Sequence, residues 1–215
     1  MISWVYCFKS NKNWALNLVK RKSIPTLSNP STQNPFYLDL RSLAIFRICL
    51  GILIFYDLIN RTRYLSLHYT DNGVLPSNLL KEFLWNPGYF SLHTLSGSYE
   101  WQLALFLISG IAALCLLFGY RTKVAVIVSF ILLLSLHNRN PWILNSGDAY
   151  LRMILFWSIF LPLNKFYAID SLNNPAQENK KFTSLASFAF ILQIILLYVM
   201  TGLLKSSPEW LWEGT

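Results

Sequence analysis

Five apolar runs decide what this chain can fold into: roughly 40–60, 101–120, 124–136, 150–166 and 182–204. A helix needs about 20 consecutive apolar residues to cross about 30 Å of hydrocarbon. The first, second and fifth runs reach that length, and the third and fourth fall short. Charged residues make up only 13% of the chain, where a soluble domain carries about 25%. Lipid offers no hydrogen bonds to the backbone, so runs of this kind fold as helices that satisfy themselves. The expected fold is all-α, a polytopic integral membrane bundle of about five transmembrane helices, with the lipid bilayer as its first partner. Met1–Phe8 is short, has no basic flank before it and shows no small-residue cleavage site, so it does not read as a cleavable signal.

The net charge of +8 is distributed by side rather than clustered. Ten basic residues fall in the N-terminal tail, the Arg121–Lys123 connection and the loop around 165–181. Five lie on the other side (Arg61, Arg63, Lys81, Arg139 and Lys205), and Arg41, Arg47 and Arg152 sit in or at the spans. This is a positive-inside bias. It predicts a multi-pass protein with a cytoplasmic N-terminus and an extracytoplasmic C-terminus, and it makes the basic charge a topology signal rather than a sign of nucleic acid. Residues 1–38 form a basic cytoplasmic tail, in which Trp14, Ala15, Leu16, Leu18 and Val19 fit either an interfacial helix or a disordered segment. Residues 39–215 form one membrane domain. The 61–100 connection, rich in aromatic residues and with a turn at Asn72-Gly73, is expected on the membrane surface. Cys7, Cys49, Cys115, His68, His93 and His137 are scattered without metal-ligating spacing, and no nucleotide motif is present.

The third and fourth runs are short of residues. Only 41 positions separate Lys123 from Lys165, and two crossings use about 40 of them. Yet the middle, His137 to Arg152, is polar and turn-forming. The expected solution is a connection that dips below the membrane surface and lines a wet, outward-opening cavity.

Several polar residues sit where lipid would disfavour them. Arg47, Asp57 and Arg61 share a sector of about 80° on the first span, which suits either a pocket wall or an Asp57–Arg61 pair with Arg47 reaching a neighbouring helix. Asn145-Ser-Gly-Asp148 fits a helix start, with Arg152 one turn beyond Asp148; Asp148 facing the cavity and orienting a ligand is the sharper alternative. Tyr198, Thr201 and Lys205 share about 60° of the last span, a stripe expected to point inward, with Gln193 to one side. Lys205 at the boundary is either an anchor that snorkels to the headgroups or a desolvated amine able to act as a base.

Four segments together resemble the HTTM (horizontally transferred transmembrane) family, which includes the vitamin K-dependent γ-glutamyl carboxylases. They are Leu43-Ala-Ile-Phe-Arg47 with Gly51, Asp57 and Arg61; Tyr69 with Gly73-Val-Leu-Pro76; His137-Asn-Arg139 with Gly147-Asp148 and Leu151-Arg152; and Gly202-Leu-Leu-Lys205 with Trp210 and Gly214. The resemblance covers about 38–215. It implies Lys205 as the amine base that deprotonates a reduced vitamin K-type quinone, with Arg47, Asp57, Asp148, Arg152 and Tyr198 around the substrate. Two departures are plain: Leu204 replaces the first lysine of the carboxylase pair, and Asp148 stands where those enzymes carry an active-site histidine. The carboxylases also continue beyond this region, so the chain reads as a fragment or a reduced form. The resemblance implies a rival role as well. Family members resembling the sporulation-delaying peptide maturation protein act non-catalytically, in the maturation or export of a secreted peptide.

Overall fold

The computed structural model describes residues 37–84, 89–172 and 181–205. The chain divides into two compact units, Met1–Pro35 and Phe36–Thr215, and every described residue lies in the second. The N-terminal tail with its interfacial-helix alternative, and the terminal Trp210 and Gly214, lie outside the described residues.

Six helices carry the architecture: α1 (Leu40–Thr62), α2 (Leu65–Tyr69), α3 (Tyr99–Phe118), α4 (Thr122–Arg139), α5 (Ser146–Ser158) and α6 (Leu185–Leu204). Four of them, α1, α3, α4 and α6, are long and apolar enough to cross a membrane. The only sheet among the described residues is one antiparallel rung pairing Leu38–Asp39 with Lys181–Phe182, which ties the start of α1 to the lead-in of α6.

The fourth apolar run does not become a full-length helix. An Asn145–Asp148 capping box starts α5, and the helix ends after 13 residues, at Ser158. Pro162 explains the stop: its ring would clash with the carbonyl four residues back, that of Ser158, and it has no N–H to give it. Leu161 and Leu163 then turn into the core as the chain leaves helical geometry. This resolves the shortage of residues between Lys123 and Lys165 by shortening α5. The connection before it is not recessed along its whole length. His137, Arg139 and Asn140 are buried, whereas Trp142 and Asn145–Gly147 are exposed.

The core is built on the α1–α3 contact. Gly51 makes it possible, because a Cβ there would come within 2.9 Å of the Leu117 backbone nitrogen and 3.1 Å of the Ala113 carbonyl oxygen. Small residues at helix crossings let backbones meet where lipid provides little hydrophobic drive. Leu43, Leu50, Ile54, Ala113, Leu116, Val126, Leu133 and Leu155 pack around that crossing. The helix α6 sits at the periphery: only 11% of its apolar window is buried. Phe190 anchors it through an edge-on ring contact with Phe46 on α1.

At one end of the bundle, a three-residue link joins α3 to α4 through left-handed Gly119 (φ 72°) and Arg121 (φ 44°). No side chain of its own caps α4. Asp170 does so from across the bundle, accepting the Arg121 and Thr122 backbone N–H groups at 2.8 Å each and the Thr122 hydroxyl at 2.9 Å. Burial opposes ionisation of Asp170, but these bonds outweigh it and hold the carboxyl below its ordinary value.

Candidate functional site

At the opposite end, the last turn of α1 carries Arg61, whose guanidinium joins three elements. Its Nε donates to Asp57 at 2.7 Å on the same helix, one Nη to the Tyr69 hydroxyl of α2 at 3.1 Å, and the other Nη to Asp148 of α5 at 2.6 Å. The Asp148 side chain is only 7% exposed. Its second oxygen accepts the Asn145 N–H at 3.0 Å, so one carboxylate starts α5 and docks it on α1. Burial raises the Tyr69 hydroxyl above its ordinary pKa, against the pull of the Arg61 charge, so the phenol stays protonated and accepts from Arg61.

His137, near the end of α4, lies beneath this cluster and is fully buried. Its Nε2 is 3.8 Å from Asp148 Oδ1, beyond hydrogen-bond range. Neither ring nitrogen has a hydrogen-bond partner among the described residues. Arg152, partly buried on α5, is a further charge within electrostatic reach of the imidazole. The result is an imidazole beside one carboxylate, Asp148, and two guanidiniums, with neither nitrogen bonded among the described residues.

The connection from α2 to α3 is fastened over this end by two more networks. Arg139 donates to the Leu75 carbonyl at 2.7 Å and to Asp71 at 3.2 Å. Asp71 also accepts from the Ser77 N–H and hydroxyl; burial pushes its carboxyl up, but these bonds and the Arg139 charge leave it below the ordinary value. Gln102 of α3 donates to the carbonyls of His93 and Ser96, each at 2.8 Å, which fixes its amide oxygen as the acceptor for His93 Nδ1 at 2.6 Å. Burial lowers the His93 pKa to about 4, with the hydrogen bond to Gln102 opposing the shift.

On its other side α5 borders a groove of about 540 Å³ shared with α6. Ser146, Tyr150, Met153 and Trp157 line one wall, and Gln193, Leu197 and Met200 lie on the other. The lining is almost wholly apolar. Its polar side chains are Ser146, Tyr150 and Gln193, and the Gln193 amide oxygen is enclosed without a hydrogen-bond partner among the described residues. The helix thus divides two environments, with Asp148 and Arg152 toward the charge cluster and the alternate face toward the groove.

The sequence-predicted site residues separate into three places. Asp57 and Asp148 meet on Arg61, with Arg152 nearby. Arg47 does not join them. Ten residues earlier on α1, about 15 Å of helix rise away, it donates to the Tyr167 carbonyl at 2.6 Å and packs against Gly119. A shared helical sector therefore does not make a shared pocket, because the two arginines serve opposite ends of α1. The Tyr198–Thr201–Lys205 stripe, expected to point inward, instead lies exposed on α6. A peripheral helix buries only the side that carries Ser187 and Phe190, and the Thr201 hydroxyl is satisfied within the helix by the Leu197 carbonyl at 2.7 Å. Tyr198 comes within electrostatic range of Tyr150 across the groove, while Lys205, the C-cap of α6, is not among the residues that line it. Sequence reasoning missed His137 and Tyr69 as members of the cluster. Only their tertiary partners mark them, since a lone histidine or tyrosine at a helix end has no local signature. Among the described residues, no group of three His, Cys, Asp or Glu side chains is placed to hold a metal ion.

Residues 36–215 match the HTTM domain. The chain belongs to the HTTM domain family. No curated protein and no solved structure gives a match. With four membrane-length apolar helices among its described residues, this HTTM protein is a multi-pass membrane protein.

Two outcomes follow from the polar end of the HTTM domain. Replacing Arg61 with Leu leaves Asp148 buried without its cation, a loss of about 3–5 kcal/mol; Asp57, a quarter exposed, contributes less through solvent screening. Unfolding in detergent should show that drop, and adding Asp148→Asn to Arg61→Leu should recover part of it. His93 makes stability depend on pH. The unfolded side chain titrates near 6.5 and the folded one near 4, so the unfolded state takes up its proton first. Stability is complete above about pH 6.5 and falls as the pH drops toward 4, by about 3 kcal/mol. A melting series across that window should be shallower in His93→Asn than in the parent protein.

Proposed function

We propose that this HTTM protein binds a lipid-soluble quinone, or a related small amphipathic substrate, in the groove between α5 and α6, with Lys205, at the C-terminal end of α6, as the base. The observation that carries this reading is the enclosed, unpartnered amide oxygen of Gln193 in a largely apolar groove. An apolar ligand alone would leave that acceptor unsatisfied, whereas a hydroxyl donor on an apolar body satisfies it. A reduced quinone fits these residues, and when bound it supplies an acidic ring hydroxyl and an oxidisable ring. Tyr150 and Trp157 offer aromatic faces to a planar group, and Met153 and Met200 adapt to an irregular chain. Asp148, through Arg61, holds α5 and with it the groove wall on α1.

The test uses purified protein in lipid bilayers, with ligand binding read from tryptophan fluorescence and turnover from epoxidation of a hydroquinone. Gln193→Leu should weaken binding of a short-chain hydroquinone about fivefold, the value of one hydrogen bond. Lys205→Ala should abolish turnover with little loss of folded protein, and Lys205→Arg should fail as well, since guanidinium does not deprotonate. An active Lys205→Arg protein would reduce Lys205 to an interfacial anchor. A second reading, a non-catalytic partner in maturation or export of a secreted peptide, draws on the exposed face of α6, and unaltered binding in Gln193→Leu together with no turnover would favour it.

The proposed orientation has the N-terminus in the cytoplasm and the Arg61 end, with Lys205, outside. The charge bias along the sequence supports it. Alkaline phosphatase fused after Thr215 should be active, and activity only in a cytoplasmic reporter would reverse the sidedness.

A further inference from the structure

We propose that the Arg47 end of the bundle is a recognition surface for anionic phospholipid headgroups, built from cations held against aromatic rings. Arg41, Arg121, Lys123, Lys165 and Lys181 are all exposed there, and among the described residues none of them forms an ion pair. Two described carboxylates near them, those of Asp39 and Asp170, are turned to other work. Asp39 accepts the Arg41 backbone N–H as the N-cap of α1. Asp170 caps α4. Among the described residues, these cations are therefore left without a side-chain ion pair, whereas Asp57, Asp148 and Asp71 at the other end are paired with Arg61 and Arg139.

Three of the cations are also positioned rather than free-swinging. The Arg41 guanidinium lies 5.9 Å from the Phe166 ring centroid, Arg121 lies 5.9 Å from that of Tyr120, and the Lys181 ammonium lies 4.5 Å from that of Tyr37. Such contacts restrict a long side chain without cancelling its charge. Two of the aromatic partners lie on segments that are themselves fixed. Buried Arg47 holds the Tyr167 carbonyl, beside Phe166, and Tyr167 takes a left-handed φ of 50° to present it. The Asp170 N–H binds the Gly119 carbonyl at 3.0 Å and locks the same loop onto the turn that carries Tyr120 and Arg121. The β-rung sets Lys181 opposite Asp39, two residues from Arg41. Aromatic rings interleaved with cations at the end of membrane-length helices lie at headgroup depth. The group that matches them there is the phosphodiester of an anionic lipid, which offers oxygen acceptors to guanidinium and ammonium donors together.

Native mass spectrometry of the full chain, released from bilayers of phosphatidylcholine mixed with phosphatidylglycerol, tests this, alongside thermal unfolding in each lipid. The parent protein should retain phosphatidylglycerol preferentially and melt higher in its presence. The combined Arg41→Gln, Lys165→Gln, Lys181→Gln protein should bind it about a hundredfold more weakly, roughly fivefold per cation removed. Lys81→Gln, at the opposite end, should bind as the parent does. Helicity in pure phosphatidylcholine reports whether the triple variant folds. Should it not fold, Lys165→Gln alone, which removes an exposed charge outside the three cation–ring contacts, should still show the fivefold loss. Equal retention of the two lipids by the parent would overturn the proposal, as would undiminished phosphatidylglycerol binding in a folded triple variant or in Lys165→Gln. Inorganic phosphate raising the melting temperature as much as phosphatidylglycerol would point to a free-anion site and overturn it equally.

Discussion

A guanidinium near hydrocarbon has to be satisfied completely or moved into water, and Arg61 meets that demand by binding three elements at once. Its bonds to Asp57, Tyr69 and Asp148 close the end of α1 against α2 and α5. Because Asp148 also starts α5, the position of that helix is set by electrostatics at its first turn rather than by packing along its length. The groove wall depends on it in turn. Removing one carboxylate would therefore be felt on both faces of α5, in the charge cluster and in the apolar groove.

The opposite end meets the same demand only in part, with backbone instead of carboxylate: Nε and one Nη of buried Arg47 have no hydrogen-bond partner among the described residues. Arg47 gives an N–H to the Tyr167 carbonyl while Asp170 stands at greater distance and caps α4. Gly119 is required there twice: its left-handed φ ends α3, and a Cβ would collide with the Arg47 guanidinium. Among the described residues, the exposed cations around it form no ion pair, and the ion pairs that do form lie at the Arg61 end.

How far the sequence reveals this can be followed residue by residue. The long apolar runs are legible because the bilayer permits essentially one backbone solution for them. The Asn145–Asp148 helix start and the Asp57–Arg61 pair are legible because both are local, at three and four residues' separation. Pairing across the fold is not. Nothing in the sequence ties Arg61 to Asp148, 87 positions on, or Arg47 to a backbone carbonyl rather than a side chain. The sector shared by Arg47 and Asp57 suggests a common pocket because an angle about the helix axis carries no information on depth along it. The stripe through Tyr198 and Lys205 reads as inward-facing only on the assumption that polar groups avoid lipid. That assumption weakens for a peripheral helix whose hydroxyl is bonded internally and whose amine lies at the boundary. The shortened α5 has a visible cause, Pro162, masked in the sequence by the overall hydropathy of the run.

A helix of 13 residues rises about 20 Å, well under the hydrocarbon thickness that its neighbours span. The difference is met by lipid as well as protein. Acyl chains beside α5 must splay or shorten, or headgroups and water must sink toward Pro162, at a cost of fractions of a kcal/mol for each ångström of mismatch. The bilayer next to the groove is therefore locally thinner than the bilayer around α1 and α3. An amphipathic molecule moving sideways into the groove would meet polar surroundings after a shorter passage through hydrocarbon than anywhere else on the perimeter of the bundle. A thin host membrane would carry less of this strain than a thick one, so α5 gives the protein a preference for the bilayer that surrounds it.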